Sequence, residues 1–101
     1  MIIFIDIDGT ICETPDVSDY SISHPIKKNI KTANDLFKKG HKIIYWTARG
    51  TVTGKDWRDV TEKQLKKWKV KYHELRMGKP YYDLFIDDKN VNAKYFDNLP
   101  V

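Results

Sequence analysis

Cysteine is almost missing from this chain. Cys12 stands alone among 101 residues, which excludes an intrachain disulfide and fits a reducing cytosol. Long apolar runs are missing too: the one at the amino terminus ends after about six residues, far short of the ~20 needed to span a bilayer. It meets charged residues without a cleavage-site pattern, so the expectation is a soluble, cytoplasmic chain with no membrane partner. No charge block occurs. Eighteen Lys and Arg against fourteen Asp and Glu give a net charge of +4, and the lysines are scattered, which argues against a strong nucleic-acid footprint. His24, His41 and His73 lack metal-ligand spacing. No repeat, linker or low-complexity stretch divides the sequence. At 41% hydrophobic and 13% aromatic it can bury one core, so residues 1–101 are expected to form a single domain.

What is present begins with Ile2-Ile-Phe-Ile-Asp-Ile-Asp-Gly-Thr10. Its β-favouring apolar residues run into Asp6 and Asp8, and Gly9 with Thr10 breaks the strand. An Asp-Gly turn accounts for Asp8 and Gly9 but leaves Asp6 unexplained. Burying an unpaired carboxylate costs several kcal/mol, so the pair calls for a counter-charge, for which a divalent cation is the obvious choice.

Ile11 to His24 reads as a loop or short hairpin over the strand end. Pro25 suits a first helical position, and Ile26, Ile30, Ala33 and Phe37 make one helical stripe closed by Gly40. Lys42 to Thr47 reads as a second buried parallel strand. Thr53-Gly-Lys-Asp56 has capping-box-like spacing before a helix that presents Trp57, Val60, Leu65 and Trp68. Tyr72 to Leu75 is a short strand. Leu84-Phe-Ile86 is another, ending in Asp87 and Asp88, and Val91, Tyr95 and Leu99 recur every fourth residue as in a closing helix. Alternating strands and helices predict an α/β, mostly parallel, doubly wound sheet in three layers, Rossmann-like, with helices on both faces. Its carboxyl edge, where such folds bind ligands, would gather Asp6, Asp8, Thr47, Arg49, Asp87 and Asp88, with Lys79 on a nearby loop.

Four carboxylates, a lysine and a threonine suit a hard cation, magnesium, which keeps waters and substrate phosphate oxygens in its shell. A phosphate ester is therefore the expected substrate. In their order Asp6-Ile-Asp-Gly-Thr10, Thr47, Lys79 and Asp87-Asp88 resemble the four motifs of the haloacid dehalogenase superfamily of phosphohydrolases, over residues 2 to about 90. The resemblance implies that Asp6 is the nucleophile, that Asp8 is the acid and base, and that Thr47, Lys79 and backbone N–H groups near Gly9 hold the phosphate. It implies Mg2+ on Asp6, on the Asp8 carbonyl and on Asp88, with Asp87 the less certain ligand. Arg49 lies outside the shared chemistry; it either contacts an anionic or hydroxyl-rich substrate or makes a structural salt bridge. Tyr20 and Trp46 are weaker candidates.

Neither interval in which that family inserts a cap leaves room for one, so a capless member is expected, with an open site that a homo-oligomer could close. The expected activity is hydrolysis of a small phosphorylated metabolite such as a sugar phosphate. The alternatives are a polynucleotide 3′-phosphatase or protein phosphatase, a phosphotransferase, and a non-catalytic metal-binding interaction domain.

Overall fold

The computed structural model describes residues 1–99, so the last two residues of the expected domain lie outside the described residues. In chain order the elements are β1 (Ile2–Ile5), β2 (Cys12–Glu13), β3 (His24–Pro25), α1 (Lys27–Lys38), β4 (Lys42–Trp46), α2 (Arg58–Lys67) and β5 (Glu74–Arg76). Short 3-10 turns span Tyr20–Ile22 and Ala93–Asn98. β1, β4 and β5 form a parallel sheet in the order β1-β4-β5, with Ile3 beside Ile43 and Tyr45 beside Leu75. β2 and β3 make a small antiparallel pair, the hairpin of the two forms, loop or short hairpin, expected over the end of β1.

Alternation along the strands sends Ile3, Ile5, Ile43, Tyr45 and Leu75 to one face, where they cluster with Ile30, Ala33 and Leu36 of α1 and Leu65 of α2. Each such side chain contributes roughly 1.5–3 kcal/mol relative to an exposed one. Both helices lie on this face for a topological reason. The crossovers β1-α1-β4 and β4-α2-β5 step the same way along the sheet, and right-handed crossovers that step the same way stack on the same side. The expected three-layer, doubly wound arrangement with helices on both faces is therefore corrected to two layers among the described residues. A helix on the second face would require the chain to step back across β1. On that face Ile2 and Phe4 are exposed, with Phe4 edge-on to Trp46 and under the Arg76 guanidinium.

Several local expectations change. Pro25 sits in β3, and α1 begins at Lys27 without a side-chain cap. Leu36 takes the buried place assigned to Phe37, which is half-buried. Gly40 ends the helix at φ +96, a left-handed conformation that glycine adopts without strain. The capping box does not form: Thr53 accepts from the Lys55 N–H, and Asp56 accepts from the Arg58 N–H. The closing helix is a 3-10 turn kinked at Tyr95, in which Phe96 is buried and Tyr95 exposed, and Val91 lies exposed before it.

The largest departure is Leu84–Ile86. These residues form no strand and are 75%, 42% and 87% exposed, so β1 remains the outer strand of the sheet on its free side.

Candidate active site

The chain leaves β1 into a tight turn: Thr10 and Ile11 N–H groups both donate to the Ile7 carbonyl, and Gly9 at φ +80 allows the reversal. This lifts Asp6 and Asp8 out of the strand and over the carboxyl edge. Beside them β4 runs out at Thr47, whose carbonyl accepts the Lys79 N–H at 3.0 Å, so the loop after β5 is pinned across the same edge. The result is a cleft of about 280 Å³ lined by Asp6, Asp8, Thr47, Lys79 and the aromatic pair Tyr81 and Tyr82.

Asp6 faces Lys79, with Nζ 3.6 Å from Oδ1 and the lysine side chain only 13% exposed. A loop lysine on the surface would be solvated, so this one is directed by its partner. Burial pushes the Asp6 carboxyl up; Lys79 and the Ile7 N–H pull it down; the net position is above its ordinary value.

Asp8 has different company. Arg49 forks onto it, Nε to Oδ2 at 2.9 Å and Nη2 to Oδ1 at 2.8 Å, and the Thr14 hydroxyl donates to the same carboxylate. Burial would raise the Asp8 carboxyl, but these donors, chiefly Arg49 and Thr14, bring it below its usual range. The guanidinium is itself 2% exposed. Its remaining amine donates to Thr61 at 3.0 Å and Gln64 at 2.6 Å, and Tyr20 lies 4.8 Å beneath it. Of the two roles open to Arg49, this geometry is that of the salt bridge. Thr14, Thr61 and Gln64 were not candidates from sequence. The signal was present in α2, where two polar residues three apart, Thr61 and Gln64, fall on the buried side.

The Gly9 N–H, expected near the phosphate, donates instead to the Cys12 carbonyl at 2.8 Å. Thr47 is 1% exposed, and its hydroxyl accepts from the Arg49 N–H, which leaves its proton free to donate. Cys12 is buried against Asp8 and its thiol is pushed up to about 12, so it is no nucleophile at neutral pH. Trp46 lies on the second face with Phe4, away from this chemistry.

Asp87 and Asp88 are not brought in. Both are exposed, and Asp87 caps a local turn through the Lys89 N–H at 2.8 Å. Among the described residues no three His, Cys, Asp or Glu side chains stand close enough to hold a metal ion. Asp6 pairs with Lys79 and the Asp8 carboxylate with Arg49, and Asp87 and Asp88 do not join them, so among the described residues the acids expected around Mg2+ are not gathered in one place.

No family model matches the chain, and no curated protein does. Solved structures do. A crystal structure of a target protein from Vibrio cholerae is 26% identical, with a TM-score of 0.89, covering 100% of this chain, outlying segment included, and 91% of the other. A chain in the structure of the Pnkp1/Rnl/Hen1 complex is 20% identical with a TM-score of 0.62; 96% of this chain matches 33% of that one. A third likeness, to a chain of the Pnkp1/Rnl/Hen1 RNA repair complex, is 18% identical with a TM-score of 0.61, over 94% of this chain and 29% of the other. The fold is therefore shared with a protein of similar size and with about a third of larger ones. No helix of the described residues is long and apolar enough to cross a membrane.

Proposed function

We propose that this protein is a phosphomonoesterase that works through an aspartyl-phosphate on Asp6. The observation that carries the reading is the placement of Lys79, largely buried and 3.6 Å from Asp6, in a cleft that also holds Thr47 and Asp8. A carboxylate approaching a phosphate dianion meets like-charge repulsion. Lys79 offsets part of it, and the Thr47 hydroxyl can hold a phosphate oxygen.

An Asp6 oxygen attacks phosphorus as the ester P–O bond breaks, and the leaving oxygen takes a proton from Asp8 where Asp8 is protonated and otherwise from solvent water. Water then attacks the aspartyl-phosphate, Asp8 accepts its proton, and phosphate leaves with Asp6 regenerated. Arg49 and Thr14 hold Asp8 ionised, which suits the second step. The first step needs a protonated Asp8 wherever the leaving oxygen is basic, so aryl phosphates are expected to turn over faster than alkyl phosphates. No step is assigned to magnesium, because among the described residues Asp87 and Asp88, expected among its ligands, do not join Asp6 and Asp8.

Tyr81 and Tyr82 suit the organic part of the substrate: a sugar or other small metabolite can lie against their rings. A second reading is a polynucleotide 3′-phosphate. It is favoured by those same rings, on which a base could stack, and by the fold shared with chains of an RNA repair complex. The test is hydrolysis of a panel of aryl, sugar and oligonucleotide phosphates by wild type and Asp6→Asn, with and without magnesium. Loss of at least ~1,000-fold in the variant is expected. Equal inactivity of both proteins across the panel would leave a non-catalytic interaction domain. A polynucleotide enzyme is further expected to lose affinity steeply with salt.

A further inference from the structure

Two exposed features of one chain match each other. Among the described residues no strand pairs with the free side of β1, which is flanked by exposed Ile2 and Phe4. Leu84-Phe-Ile86 is an apolar, β-favouring run with no strand beside it. An edge and a run of this kind, left open, are both liabilities in water. Within one chain the geometry opposes pairing them in parallel.

For Asp87 and Asp88 to arrive beside Asp6 and Asp8, Leu84–Ile86 must run parallel to β1, entering from its amino end. Lys79 is fixed at the opposite end of the sheet by its bond to the Thr47 carbonyl. From there the chain would have to descend about 13 Å along the strands and cross two spacings of about 4.8 Å. Five Cα-to-Cα steps from Lys79 to Leu84 reach about 17 Å only when straight, and the straight line passes through β4 and β1. Parallel connections ordinarily take a dozen residues or more. An antiparallel pairing is within reach, but it carries Asp87 and Asp88 to the wrong end of the sheet.

The segment is nonetheless held at both ends. Lys79 is pinned at Thr47, and beyond the run Phe96 is buried while Asp97 pairs with Lys28 of α1 at 2.5 Å. What lies between is an arm projecting from its own body, with apolar residues outward and two acids after them.

We infer that this arm is exchanged between two copies of the chain: Leu84–Ile86 of each pairs in parallel with β1 of the other and delivers Asp87 and Asp88 to the other's Asp6 and Asp8. The exchange covers both open edges, satisfies their backbone groups and buries the apolar run, all by one two-fold arrangement. It also supplies in trans the carboxylates that a hard divalent cation needs, so the site is built from two chains. The role given to those acids rests on the phosphatase reading. So does the parallel direction of the pairing, which is what brings those acids to Asp6 and Asp8; the covering of the open edge by a second copy does not.

Three measurements test it. Light scattering of the full chain at tens of micromolar is expected to give twice the 11.9 kDa of one chain, and Leu84→Lys, at a site already exposed, is expected to return it to one. A wild-type monomer, or a dimer indifferent to Leu84→Lys, overturns the inference. Phe4→Cys combined in turn with Leu84→Cys, Phe85→Cys or Ile86→Cys should yield a disulfide-linked dimer in at least one pair. Links only within one chain, or none in any pair, would sink it. These two readouts stand even if no phosphate ester is hydrolysed, in which case only the catalytic reading falls. Where wild type is active, Asp6→Asn and an Asp87→Asn, Asp88→Asn double variant should each be inactive alone. Co-refolded in equal amounts they should recover about a quarter of the wild-type rate, since half the pairs are mixed and each holds one intact site of two. No recovery means that the acids act within their own chain.

Discussion

Two stretches of this chain are written alike and end up differently. Ile2-Ile-Phe-Ile-Asp-Ile-Asp8 and Leu84-Phe-Ile-Asp-Asp88 are both apolar, β-favouring runs that close on two acids. The first pairs with β4 over Ile2–Ile5 and lifts its acids into company: Lys79 for Asp6, Arg49 and Thr14 for Asp8. The second pairs with no strand among the described residues, and Asp87 caps a turn. Composition and pattern do not separate them. What does is the length of chain between each run and the edge it needs. Residues 6 to 41 include all of α1 and give β1 a full crossover to β4, whereas the four residues from Pro80 to Asp83 give Leu84 none.

The broadest way to break the comparison is to lengthen that tether. An insertion of about a dozen flexible residues between Tyr81 and Tyr82 would let Leu84–Ile86 reach its own β1. The expected outcome is a monomer by light scattering in which the amides of residues 84–86 gain protection from hydrogen exchange. A dimer unchanged by the insertion would mean that tether length is not what separates the two runs.

Removing the counter-charge tests the other half. Arg49→Met leaves Asp8 without its partner and Thr61 and Gln64 without their donor, at an expected cost of about 4 kcal/mol in urea unfolding. Equivalent substitutions beside Asp87 should cost nothing measurable.

Core truncation then separates the runs by concentration. Ile5→Ala, at a position 4% exposed, is expected to cost about 3 kcal/mol at any protein concentration. Leu84→Ala should cost little in dilute protein and appear only where copies meet, which unfolding at two concentrations a hundred-fold apart would reveal.

The smallest effect is a pH signature of the two first acids. The lowered Asp8 carboxyl contributes stability that is present above its ordinary value of 3.8 and is lost as pH falls through its lowered folded value. Asp6 has the opposite sign: its raised carboxyl favours the protonated form in the fold, so stability withheld near neutrality returns as pH falls toward its ordinary value. Asp6→Asn should therefore be slightly more stable than wild type at pH 7, and Asp8→Asn should lose the steep acid limb below pH 4. Melting temperatures between pH 3 and 8 would show both.

Much of the fold was legible from residues. The parallel strands at Ile2 and Lys42, the helix at Lys27, its Gly40 stop and the hairpin after Thr10 all follow from local pattern, which is where sequence is informative. The convergence of Asp6, Asp8, Thr47 and Arg49 followed from strand direction, with Lys79 placed on a nearby loop, whereas the same argument misplaced Asp87 and Asp88. Two things were not legible. Whether helices cover one face or two depends on the direction in which successive crossovers step, which no periodicity records. Whether Leu84–Ile86 joins the sheet depends on reach, and an apolar run looks the same with a partner or without one. The Asp8–Arg49 pair lay between these cases: a salt bridge was one of two readings of Arg49, and the inward-facing Thr61 and Gln64 favour it.

Pro80, Tyr81 and Tyr82 tie the two regions together, since they wall the cleft at one end and hold the arm at the other. A wall whose outer end is gripped by a second molecule makes turnover depend on crowding by its own kind. If the arms are exchanged, rate per chain should climb with protein concentration until every arm is held, and dilution alone should silence the protein. Expression level would then act as a threshold, needing no separate effector.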